Sequence, residues 1–272
     1  MQFKRNYAII KNWKFVKIMK NTIYHHRSYR TISGSVSEFA LQFILILTPI
    51  CLMVLFLYPF LSQFICAMGA RALQPWFQEG EVVTATTDFL TGKTHFLVTP
   101  GKIPSGRFAL VNAIFFSVLI LVLQVKNDYK SITHSVIFFS IINLISSLFF
   151  LFIPSVWPYQ ITHYSEAYMK SQISIWLFIP VVLGCAIFPL PASILAKISV
   201  ILLTLLYSFV FTLLRYPTFL FILSKYSFLY MAALFFLLGP LMDFVYVVGI
   251  YAFFTSRIAL NLKNDLKVWK WF

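Results

Sequence analysis

The sequence predicts an all-α membrane protein: a six-transmembrane-helix bundle carrying a small extracytoplasmic β-hairpin segment. Three observations predict it. Of 272 residues, 60% are apolar and only 11% charged, against roughly 25% charged in a soluble domain. The apolar residues fall into six runs, near 39–67, 108–125, 132–153, 172–190, 192–214 and 227–254, and about 20 residues suffice for one crossing. The 31 Phe, 14 Tyr and 6 Trp residues set aside disordered and low-complexity readings, which are poor in aromatics.

Residues 1–38 form a basic segment with eight Lys or Arg and no acid before Glu38, interleaved with Phe3, Tyr7, Trp13 and Phe15. This composition suits a helix lying on an anionic leaflet. A mitochondrial presequence is also basic and acid-poor, but favours Arg and Ser over this Lys and aromatic mixture. The first span, 39–67, is followed by the longest connection, residues 68–107. Within it Glu81–Thr86 and Thr94–Thr99 are β-prone runs, with Thr91-Gly92-Lys93 between them as the expected turn. An isolated hairpin is marginal in water, so this one is expected to rest on the membrane, the helix ends or a partner. Residues 108–254 hold the remaining five spans. Gly239 and Pro240 interrupt the last stretch, which is too long for one plain helix and too short for two crossings. Residues 255–272 form a basic tail.

With the N-terminus inside, inner segments hold 15 of the 22 Lys and Arg and outer segments 7. The positive-inside rule then places both termini in the cytoplasm, with a bacterial inner membrane as the expected location. The net charge of +14 is thereby explained by orientation and anionic lipid, so nucleic acid is not an expected partner. Trp76, Trp157, Tyr159 and Trp176 lie near expected interfaces, as in an aromatic belt. Gly184, Ala186, Ala192, Ala232 and Ala233 are the small residues available for close helix approach.

The sequence has no glycine-rich phosphate loop, CxxC or HExxH motif, and no carboxylate cluster. No cofactor or metal is expected. Cys51 and Cys185 lie in apolar runs as packing residues. His25 and His26 belong to the basic segment, and His134 opens the third span. Asp243 is the one acid well inside a span, where an ionised carboxylate costs at least about 2.5 kcal/mol. Its site admits three readings. It accepts backbone N–H groups freed by Pro240, it pairs with Lys197 as an intramembrane charged pair, or it belongs to an ion or proton pathway. Arg215, at the end of the fifth run, reads as an outer-face anchor snorkelling to phosphate. On the same outer side, Cys66, His163, Arg107 and Arg215 offer a thiol, an imidazole base and guanidinium clamps, although Cys66 equally suits a packed helix.

Pro104-Ser105-Gly106-Arg107-Phe108 entering a helix, and Leu213-Leu214-Arg215 closing a later one, resemble elements of the exosortase and archaeosortase systems. There the first element is Cys-Ser-Gly-x-Arg and the second an Asn-x-x-Arg stretch followed by histidine. In this chain Pro104 stands in the nucleophile's place, Arg107 is displaced by one residue, and no histidine follows Arg215. Cys66 through Arg71 gives a second, gapped match. The plan of residues 39–215 also resembles the membrane proteins associated with exosortase genes. That resemblance implies a non-enzymatic inner-membrane accessory or scaffold of an envelope protein-sorting or export system, with a membrane or envelope protein as partner. The alternatives are an exosortase-like membrane cysteine transpeptidase using Cys66, His163 and Arg107 or Arg215, and a small-solute or ion transporter using Asp243.

Overall fold

A computed structural model describes residues 36–125, 130–190 and 192–261. The described residues are mostly helical, with six helical segments long and apolar enough to cross a membrane and one two-stranded antiparallel sheet. The basic segment through residue 35, residues 126–129 and the tail from 262 onward lie outside the described residues, and the expectations placed on them go untested.

Helix α1 (Val36–Gln42) passes through a π turn at Phe43–Leu47 into α2 (Thr48–Leu73). Strands β1 (Val83–Phe89) and β2 (Gly92–Val98) follow, then α3 (Gly106–Val125) and α4 (Lys130–Phe152). The remaining spans are α5 (Ile161–Ile187), α6 (Ile194–Lys225), and a broken last segment of α7 (Met231–Phe236), a π turn at Leu237–Leu241 and α8 (Met242–Asn261).

The helices are unequal in length, which the apolar runs alone do not reveal. Crossings need about 20 residues, and α3 and α4 are close to that. The first segment runs 37 residues from Ala40 to Trp76, and α6 runs 32. At 1.5 Å per residue these exceed the hydrocarbon core by roughly 25 and 18 Å. Helix α5 starts eleven residues before the apolar run expected at 172, and α6 continues ten residues past Arg215. Hydropathy missed both extensions because Glu166, Lys170 and Pro217 dilute it, while packing against the hairpin supplies the burial.

The hairpin is clasped along these long helices. Its register runs from Val83 opposite Val98 to Phe89 opposite Gly92, so Leu90-Thr91 make the turn and Gly92 opens β2. The expected turn at Thr91-Gly92-Lys93 is therefore one residue late. Gly92 has a different task, since a Cβ there would stand 3.2 Å from the Tyr58 hydroxyl and 3.3 Å from Pro59 Cγ. The tip thus docks where Pro59 interrupts α2. A proline at this position cannot donate to the carbonyl of Leu55, and the Thr91 hydroxyl donates to it instead, at 3.4 Å. Tyr58 donates to the Phe89 carbonyl, and Ser62 Oγ accepts from the His95 amide at 3.2 Å. On the other flank, Thr87 donates to Glu166 of α5 at 3.0 Å, and Leu97 N–H donates to the Tyr216 hydroxyl of α6 at 2.7 Å. Phe96 and Leu97 are buried, whereas Thr84, Thr86 and Asp88 on β1 are exposed. Strand β2 is therefore largely enclosed by the helices, and β1 is the outer, more exposed strand.

The connector after β2 is strapped to the end of α6. Thr99 and Ser224 share a hydroxyl bond at 2.9 Å, and Phe228 N–H donates to the Lys102 carbonyl at 2.9 Å. The Lys102 ammonium donates to the Lys225 carbonyl at 3.1 Å, satisfying a helix end. Two apolar cores result. One surrounds Tyr58, Ile65, Leu97, Met169 and Tyr216 at the hairpin end, and the other surrounds Leu47, Leu183, Ile187 and Ile201 at the far end. At the far end Gly184 gives the expected close approach, lying against the Leu47 side chain.

Candidate functional site: a buried polar network at the broken helix

Three helix faces meet between the two cores. On α5, Tyr164, Tyr168, Gln172 and Trp176 recur every fourth residue and so share one face. On α6, Ser208, Thr212, Arg215 and Phe219 do the same at intervals of three and four. The third face belongs to the broken last span, with Gly239, Asp243 and Tyr246. Each polar member is positioned by an otherwise apolar helix, so the network lies inside the bundle.

Arg215 is the hub, and only 6% of its surface is exposed. Its Nη2 donates to both oxygens of Asp243, at 3.1 and 2.9 Å, and to Gln172 Oε1 at 2.6 Å. Nη1 donates to the carbonyls of Leu238 and Gly239, at 2.9 and 3.1 Å, and Nε donates to the Tyr168 hydroxyl at 2.6 Å. Aromatic rings close the remaining sides, with the guanidinium carbon 4.9 Å from the Phe211 centroid and 5.5 Å from that of Tyr168. A planar fork of donors matches this set of acceptors in a way a lysine ammonium does not. The network extends to Ser208, whose hydroxyl oxygen accepts from Tyr246 at 2.7 Å, Trp176 Nε1 at 3.0 Å and Gln172 Nε2 at 3.3 Å.

The break in the last span explains why a cation is wanted there. Gly239 leaves helical geometry at φ −87°, ψ −116°, and Pro240 follows it. Carbonyls at such a break lose their helical partners, and in an apolar bundle each unsatisfied group is costly. The guanidinium donates to the carbonyls of Leu238 and Gly239, the second of which also accepts from the Met242 N–H, and pairs with Asp243 in the first turn of α8. One side chain thereby ties α6 to both halves of the broken span and to α5.

The intramembrane pair expected from the sequence is differently composed. Asp243 takes Arg215 as its partner, whereas Lys197, 5% exposed, donates to the Phe188 carbonyl at 2.7 Å. Both carboxylate oxygens of Asp243 accept from the guanidinium, so the expected capping of freed N–H groups is not the arrangement found. Arg215 likewise does not snorkel as an outer-face anchor, because α6 continues past it to Lys225 and the hairpin covers that extension. Sequence reasoning missed Tyr168, Gln172 and Ser208. The available signal was the four-residue recurrence of polar side chains on α5.

The thiol, imidazole and guanidinium set is dispersed. Cys66 is 1% exposed in the hairpin-end core. His163 Nδ1 accepts from the Gln160 N–H at 3.4 Å, closing a capping box at the start of α5. Arg107 is exposed on the first turn of α3, and Arg215 is held in the network. Among the described residues, no hydrogen bond joins Cys66, His163, Arg107 and Arg215 to one another. Among the described residues, no group of three or more His, Cys, Asp or Glu is placed to hold a metal ion. No family model, curated protein or solved structure matches this chain.

Proposed function

We propose that this chain is a non-enzymatic, polytopic membrane scaffold that presents the hairpin and its supporting helices as a docking surface on one side of the membrane. The observation that carries the reading is the hairpin itself. It is bound to three helices by hydrogen bonds with the side chains of Tyr58, Ser62, Glu166 and Tyr216, while Thr84, Thr86 and Asp88 on the outer strand β1 stay exposed. A fixed surface with unused polar groups suits recognition, because little ordering cost remains to be met on binding. The Arg215 network supports the same reading. Its donors and acceptors are engaged with one another, so its chemistry is that of a brace across the broken span. The setting of envelope protein sorting or export, in a bacterial inner membrane with cytoplasmic termini, comes from the resemblance of residues 104–108 and 39–215 and from the charge distribution.

Photo-crosslinking in the native membrane tests the proposal. A benzoylphenylalanine replacing Thr86 should give one dominant protein adduct, and the same probe replacing the apolar, exposed Val111 should give lipid or none. Equal and diffuse adducts from both positions would defeat the docking assignment.

A further inference from the structure

In an antiparallel pair, two opposite residues either exchange hydrogen bonds or both point their N–H and C=O groups away from the partner strand. The amides of His95 and Leu97 point away from β1, because they donate to Ser62 Oγ and to the Tyr216 hydroxyl. Their opposites are Thr86 and Thr84. The backbone groups of these two, and of Asp88 two residues on, therefore point away from β2 along the outer edge of β1. Among the described residues, no hydrogen bond reaches the N–H or C=O of Thr84, Thr86 or Asp88, and all three residues are exposed. The two edges of the sheet are thus treated differently. Side chains of α2 and α6 take up outward amides of β2, whereas the edge of β1 keeps three unused peptide units. Folded proteins guard such an edge with proline, lysine, a bulge or a covering element. Strand β1, Val-Thr-Ala-Thr-Thr-Asp-Phe, has no proline or lysine, and its seven pairs with β2 run without a bulge.

The charge beside that edge narrows what it can bind. In a chain of net charge +14, residues 72–91 contain Glu79, Glu81 and Asp88 and no Lys or Arg. All three acids are exposed. Asp88 stands opposite Lys93 in the register, and among the described residues it forms no ion pair. We propose that the outer edge of β1 takes an extended segment of a partner protein as a third strand. Main-chain hydrogen bonds to Thr84, Thr86 and Asp88 hold the segment, and Lys or Arg side chains near its two ends meet Asp88 at one end of β1 and Glu79 or Glu81 at the other. This inference rests on the docking role of the hairpin and names the chemistry of its partner.

The test uses the full chain in its native membrane with benzoylphenylalanine replacing Thr84, a probe that keeps the backbone N–H. Thr86→Pro removes one outward N–H and spares the bonds between β1 and β2, because proline is tolerated on an edge strand where the N–H faces outward. Thr86→Val keeps the N–H and the β-branched shape. The expected result is one dominant adduct to another protein, at near-equal yield with Thr86→Val and at least about fivefold lower with Thr86→Pro, the scale of one net hydrogen bond. The thermal midpoint of the Thr86→Pro variant reports whether it is folded. Undiminished yield in a folded Thr86→Pro variant would overturn strand addition and leave the docking role standing, as would an adduct formed within the same chain. No dominant adduct from the Thr84 probe alone would bring down both. Where Thr86→Pro does not fold, Glu81→Lys combined with Asp88→Lys leaves every backbone group in place and should lower the adduct by a similar factor, and an undiminished yield there would overturn the assignment.

Discussion

Arg215 and Asp243 form an ion pair inside the bundle, with side chains only 4% and 3% exposed. Removing one partner of such a pair leaves an uncompensated charge, which typically costs about 3–5 kcal/mol. Asp243→Ala should therefore lower the thermal midpoint of the detergent-purified protein steeply, and Lys197→Met should lower it much less. Lys197 was the expected partner because it was the only other charge well inside an apolar run. Arg215 was set at a helix terminus since hydropathy falls after Leu214, and nothing local announces that Tyr216-Pro217 continue the helix. That Asp243 lies buried and needs a partner was thus readable from its position. Its partner depends on where α6 really ends, which tertiary packing decides.

At the scale of elements, the connector between β2 and α3 sets how the hairpin meets α6. Gly101 lies against the Phe228 ring so closely that a Cβ there would stand 2.0 Å from Cζ and 2.4 Å from Cε1. Phe228 is buried, so the ring cannot simply swing away. Gly101→Ala should therefore destabilise by about 1–3 kcal/mol, the usual range for overpacking, whereas Gly106→Ala, with open space around it, should be nearly neutral in the same melting measurement. The existence of a hairpin between the first two spans was legible, because β-branched and turn residues cluster there. Its register and support were not. Gly92 reads as a turn glycine until Tyr58 and Pro59 are seen against it, and the long extensions of α2, α5 and α6 that cradle the sheet carry polar residues that break the apolar pattern.

Across the whole molecule, six crossings were legible because lipid requires long apolar helices whose backbone groups bond within the segment. The offset between helices was not, since composition counts residues but does not say which ones overhang. That offset creates the platform, and the polar network holds it by fixing α5, α6 and the two halves of the broken span together. If the network is a brace, its charge is dispensable so long as the space is filled, because well-packed apolar residues often replace a buried ion pair without loss. The most direct measurement combines Arg215→Met with Asp243→Leu and reads the crosslink yield from the benzoylphenylalanine at position 86. The account predicts a folded double variant with the same adduct at near wild-type yield. A double variant that folds and melts normally but loses the adduct would contradict it, showing that the charges themselves take part in what the protein does.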